Sequence, residues 1–86
     1  MTGMRPDERP LNVTGLLGLG FDARPDEKRV TRGKNFLLLG GSRETHGRMV
    51  ETALVFNELV DKRGKRIEQV NARELSEIAQ ELRERL

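Results

Sequence analysis

Four large apolar side chains in a row, Phe36-Leu37-Leu38-Leu39, leave the middle of the chain little freedom. In an extended conformation such a run is apolar on both faces, so it reads as a strand that has to be covered on both sides. A lone hairpin cannot do this, being marginal in water. The sheet that holds this strand needs helices, a partner chain, or both.

The flanking segments supply candidates for each. Upstream, Leu11, Val13, Leu17, Leu19 and Phe21 occupy odd positions, the period of a half-buried strand. Gly15, Gly18 and Gly20 interrupt it, and Leu16 breaks the alternation. Both features predict a bulge, a bend or a close backbone approach near Gly15 or Gly18. Asp22-Ala23-Arg24-Pro25-Asp26-Glu27 reads as a turn, with Pro25 suited to its second position. From Arg29 to Leu39 two readings stand. Either one long strand pairs back onto 11–21 as a hairpin, or Arg32-Gly33-Lys34-Asn35 turns the chain between short strands at 29–32 and 36–39. Phe21, Phe36 and Phe56 all fall at core-like positions.

Downstream, Gly40-Gly41-Ser42 ends the strand and Ser42 is suited to cap a helix. Met49, Val50, Ala53, Leu54, Phe56, Asn57 and Val60 follow the 3–4 spacing of an amphipathic helix over roughly 43–63. Glu44–Arg48 and Glu58–Lys62 are i,i+4 pairs of favourable order. Gly64 closes the helix, with Lys62 and Arg63 at its negative end. A second helix is announced by Asn71 at the N-cap, Glu74 three residues on, and Val70 and Leu75 flanking them, a capping box with a hydrophobic staple. Leu75, Ile78, Ala79, Leu82 and Leu86 form its stripe, and Arg73–Glu77 and Glu81–Arg85 are expected to pair on its solvated side. The predicted fold is α+β, a Gly-rich antiparallel β-hairpin or small sheet followed by two amphipathic helices in ββαα order. Residues 11–86 are read as one small domain behind a disordered leader at 1–10, which holds four charges and, apart from two methionines, no large apolar group.

Composition narrows the function. The chain has no Cys, Trp or Tyr and one His, which removes disulfides, thiolate metal sites and cysteine nucleophiles. No metal or cofactor is implied. A chain of 86 residues builds a marginal core, so self-association is a reasonable way to bury more. The net charge of +2 is low for a dedicated DNA-binding domain. No segment has the apolar length to span a membrane, and residues 1–10 lack the apolar centre of a signal peptide, so a cytoplasmic protein is expected.

Four groups of residues carry chemistry worth following. Gly40, Gly41, Ser42 and Arg43 place flexible backbone before a helix N-terminus, an arrangement suited to an anion, without the Lys-Ser/Thr ending of a P-loop. Ser42 and His46 stand one helical turn apart, the least supported basis for a hydrolase or transferase; the bland alternative is a surface or capping histidine. Two basic groups, Lys28, Arg29, Arg32 and Lys34, and Lys62, Arg63, Lys65 and Arg66, offer phosphate contacts if they share a face, though no aromatic platform accompanies them. Leu75, Ile78, Leu82 and Leu86 form a candidate interaction face. The two-sided strand, the small core and this stripe together favour a non-enzymatic protein–protein interaction protein, working as a homodimer or with an unidentified protein partner. The alternative is a weak, sequence-tolerant nucleic-acid or phosphate-ligand binder that uses the two basic groups. The second helix, with four glutamates against three arginines, is ill suited to reading a major groove.

Overall fold

A computed structural model describes residues 5–86. Three strands, β1 (Leu16–Gly20), β2 (Val30–Arg32) and β3 (Phe36–Gly40), precede two helices, α1 (Arg43–Lys62) and α2 (Ala72–Arg85). The class is the expected α+β, a small sheet followed by two helices. The chain groups into two compact units, Gly15–Leu54, and Val55–Leu86 with the described part of Met1–Thr14.

The Gly15–Leu54 unit corrects the hairpin expected between 11–21 and 29–39. The strand order is β1-β3-β2, with β1 parallel and β2 antiparallel to β3. Phe36–Gly40 takes the centre because it alone is apolar on both faces and can be flanked on both edges. The second reading of 29–39 is the observed one. Gly33 N–H donates to Phe36 O (2.9 Å), closing a turn through Lys34 and Asn35. A side chain at Gly33 would strike the Phe36 ring, whose nearest carbon lies 2.1 Å from a Cβ placed there. The Pro25 turn also forms, with Glu27 N–H donating to Arg24 O (2.9 Å). It does not return the chain beside β1. The segment between β1 and β2 passes β3, two strand spacings of about 4.8 Å each, so a parallel pair results.

The phase of β1 is the second correction. Only 16–20 is strand, and its odd positions face outward. Leu16, with Met49 and Val50, packs on the core of Phe36, Leu38 and Ala53, while Leu17 and Leu19 are exposed. Phe21, expected in the core with Phe36 and Phe56, is also exposed, and so is Leu54 of α1. Gly18 explains the inversion. A Cβ there would stand 2.7 Å from Leu38 Cδ2 and 3.3 Å from Met49 Cε, so α1 rides on the glycine face of β1. An alternation of leucine and glycine marks helix contact on the glycine side, not the leucine side.

In the other unit, Phe56, Leu59, Val60, Ile67, Val70 and Ile78 are buried. The capping box forms as predicted. Asn71 Oδ1 accepts from Glu74 N–H (2.8 Å), and Glu74 Oε1 accepts from Asn71 N–H (3.2 Å). Gly64, at φ +67°, ends the turn after α1 in the left-handed conformation that glycine adopts without cost. The leader expected to be disordered over 1–10 lies outside the described residues at positions 1–4. Pro6–Glu8 form a 3-10 turn beside α2. Pro10 bridges to Asn71, and Leu11 N–H donates to Val70 O (3.0 Å). The backbone around the α2 cap supplies the partners that composition alone did not reveal.

Candidate interaction surface

The sheet of the Gly15–Leu54 unit has one face covered by α1 and one left open. Register places Leu17 beside Leu37 and Arg32, and Leu19 beside Leu39 and Val30. Side chains in register share a face, so these six residues form the side of the sheet away from Leu38 and α1. Leu17 is 65% exposed, Leu19 53% and Val30 66%, and Phe21, just beyond β1, is 88% exposed. Leu37 and Leu39 are half-buried. The only charge among the six is Arg32. Sequence reasoning identified β3 as needing a cover on both faces, yet missed Leu17, Leu19 and Val30 as open positions. The glycines of β1 were the available signal.

The Gly40-Gly41-Ser42-Arg43 junction does hold an anion, and it is the chain's own. Asp22 Oδ1 accepts from Ser42 N–H (2.7 Å). Asp22 Oδ2 accepts from Ser42 Oγ (2.9 Å) and Thr45 Oγ1 (2.6 Å). Ser42 caps α1 as predicted, accepting from Thr45 N–H (3.2 Å). These donors, the Thr45 hydroxyl foremost, then the Ser42 amide and hydroxyl, hold the Asp22 carboxyl down from 3.8 to about 2. The donors offered to an external anion are thus engaged by a carboxylate from the end of β1. Gly40 (φ +78°) and Gly41 (φ +83°) let the chain turn there, and a Cβ at Gly40 would meet Gly20 O at 2.5 Å. Arg43 is exposed.

His46 is buried, which corrects the surface reading. Nδ1 lies 2.7 Å from Gly40 O and Nε2 lies 2.7 Å from Thr31 Oγ1. A carbonyl oxygen only accepts, so Nδ1 donates to Gly40 O, and Nε2 shares its hydrogen bond with the Thr31 hydroxyl, which can donate or accept. The imidazole ties β2 to the end of β3. With Ser42 engaged by Asp22 and both ring nitrogens bonded elsewhere, the pair has no nucleophile–base geometry. Among the described residues, no group of three His, Asp or Glu side chains is placed to hold a metal.

The two basic groups belong to different compact units. In the first, Arg29 pairs with Glu27 and donates to Gly41 O (3.2 Å), while Lys28, Arg32 and Lys34 are exposed. In the second, three of four cations have carboxylates. Arg63 reaches Glu77 (3.0 Å) and Glu81 (3.5 Å), Lys65 reaches Glu74 (2.6 Å), and Arg66 reaches Glu68 (3.2 Å). Lys62 is exposed. The Lys65 ammonium, then the Asn71 amide and Arg63, lower the Glu74 carboxyl below 4.5 against the opposing effect of burial. These tertiary pairs replace expected helical ones. Glu77 and Glu81 take Arg63, and Arg85 takes Glu58 (3.3 Å). The Glu44–Arg48 pair forms as expected (2.9 Å).

The α2 stripe runs from interior to exposed. Ile78 has no exposed surface, so it belongs to the core and not to an interaction face. Leu75 and Leu82 are half-buried and Leu86 is exposed. No family model, curated protein or solved structure matches the chain, and no helix among the described residues is long and apolar enough to cross a membrane.

Proposed function

We propose that this is a non-enzymatic, cytoplasmic interaction protein that works as a homodimer joined through the sheet of its Gly15–Leu54 unit. The observation that supports it is the open apolar face, with Leu17, Leu19 and Val30 more than half exposed and Phe21 beside them. Burying a side chain of this kind fully is worth about 1.5–3 kcal/mol, so leaving several in water on one small unit calls for a partner. A second copy fits best. The face carries one charge, Arg32, so it suits an apolar counterpart and not a charged one, and a copy brings a Leu17 and Leu19 of its own to lie against those of the first.

The nucleic-acid reading has less behind it, because Arg29, Arg63, Lys65 and Arg66 are all paired with carboxylates. Static light scattering at micromolar concentration tests the homodimer. The expected mass is twice the 9.8 kDa of the chain, falling to one chain mass when Leu17→Lys and Leu19→Lys are combined, with the far-UV circular dichroism unchanged. A single-chain mass for the unsubstituted protein refutes the proposal. Absorbance at 260 nm that is lost on a high-salt wash would favour nucleic acid instead, since a chain without Trp or Tyr contributes little there.

A further inference from the structure

The two edges of the sheet are built differently. β2 is three residues long and contains Arg32, with Lys28, Arg29 and Lys34 close by in sequence. Charges on a short edge are the usual guard against pairing with another strand. β1 has no such guard. From Leu11 to Phe21 there is no charged residue and no proline, in a chain that is 35% charged. No described strand lies on its outer side.

Hydrogen bonding shows which groups that edge presents. Leu16 N–H donates to Asn35 O (2.9 Å), and Gly20 O accepts from Gly41 N–H (3.0 Å). Within a strand the N–H and C=O of one residue point to the same side, and successive residues alternate. Residues 16, 18 and 20 therefore address β3, while Leu17 and Leu19 turn both backbone groups outward. We propose that two copies of the chain join by antiparallel pairing of their β1 edges about a two-fold axis at Gly18, with Leu17 of one copy opposite Leu19 of the other. This rests on the homodimer reading and specifies its geometry.

That register is supported by three features. Leu17 and Leu19 form hydrogen-bonded pairs with Leu19 and Leu17 of the partner subunit, so each outward donor and acceptor is used. On the open face the leucines of the two copies become cross-strand neighbours, about 5.5 Å apart at Cα, and cover one another. At the axis, Gly18 meets its counterpart in a non-hydrogen-bonded pair, where the chains approach most closely, to about 4.5 Å at Cα. Neither glycine adds a side chain on the face where Leu38 and Met49 already crowd.

Amide hydrogen exchange, read together with the mass, tests this in the intact protein. At a concentration where light scattering gives two chain masses, the Leu17 and Leu19 amides should exchange at least about tenfold more slowly than at a concentration where it gives one. A dimer in which both amides exchange as fast as in the monomer overturns the edge pairing while leaving the homodimer standing. A single-chain mass at every concentration overturns both. Leu19→Pro removes an outward donor and no bond to β3, and is expected to yield a folded monomer, whereas Val30→Lys, on the far edge, should leave the dimer intact. A folded Leu19→Pro dimer, or a monomeric Val30→Lys, counts against the proposal. If Leu19→Pro does not fold, the exchange rates decide.

Discussion

Replacing Leu17 and Leu19 together by threonine separates the observed sheet from the one that alternation alone predicts. If the odd positions of β1 faced the core, each change would cost about 2–5 kcal/mol. The pair would then consume most of the about 5–15 kcal/mol that holds a small protein together. In the structure Leu17 is 65% exposed and Leu19 53%, so only about a third and a half of their burial is at stake. With full burial worth about 1.5–3 kcal/mol, the loss is about 0.5–1 kcal/mol at Leu17 and 0.7–1.5 kcal/mol at Leu19, and threonine's strand propensity offsets part of it. The expected total is about 1–2 kcal/mol. Leu38→Ala, at a position 3% exposed on the opposite face, should cost about 2–5 kcal/mol by itself. Urea unfolding followed by far-UV circular dichroism is the suitable assay, since no Trp or Tyr is present to report by fluorescence. It should be run at two protein concentrations. Dimer stability shifts by about 1.4 kcal/mol per tenfold dilution, so the two proteins are compared at a concentration where each has one chain mass. A loss above about 4 kcal/mol in the dilute double variant, at unchanged denaturant slope, would refute the assignment of the two faces.

Three further outcomes follow from particular contacts. Gly18→Ala places a methyl group 2.7 Å from Leu38 Cδ2 and should cost about 1–3 kcal/mol by overpacking; combining it with Leu38→Val should recover part of that loss in urea melts, and strict additivity would argue against the contact. Asp22 titrates at about 2 instead of 3.8, so it stabilises the fold above 3.8 and that contribution fades as pH falls from 3.8 through 2. Asp22→Asn should flatten this part of the pH dependence of the urea midpoint, and identical slopes in the two proteins would contradict the Ser42–Thr45 cradle. Glu74→Gln retains an acceptor for the Asn71 amide but loses the Lys65 pair; Glu74→Ala loses both and should be less stable than Glu74→Gln by about 0.5–1.5 kcal/mol in the same assay.

What the sequence decided by itself was local. Ser42 and Asn71 cap their helices through atoms within three residues, Gly64 breaks α1 through its own backbone freedom, and Pro25 and Gly33 turn the chain where they stand. Such features need no distant partner, so composition and spacing reveal them. Tertiary structure decided everything that depends on which element meets which. The period of β1 was legible, but its phase was set by α1 settling on Gly18, and its partner by a connection that carries β2 past β3. Both are choices between near-equal local alternatives, resolved by the covering of Phe36–Leu39. The same holds for charge. Arg63 and Arg85 find Glu77, Glu81 and Glu58 across the fold and not one turn along a helix, and Asp22 occupies the donors at Ser42 from twenty residues away. The candidate surface emerged in this way too, because an apolar residue becomes a surface feature only once the helix has chosen the other face.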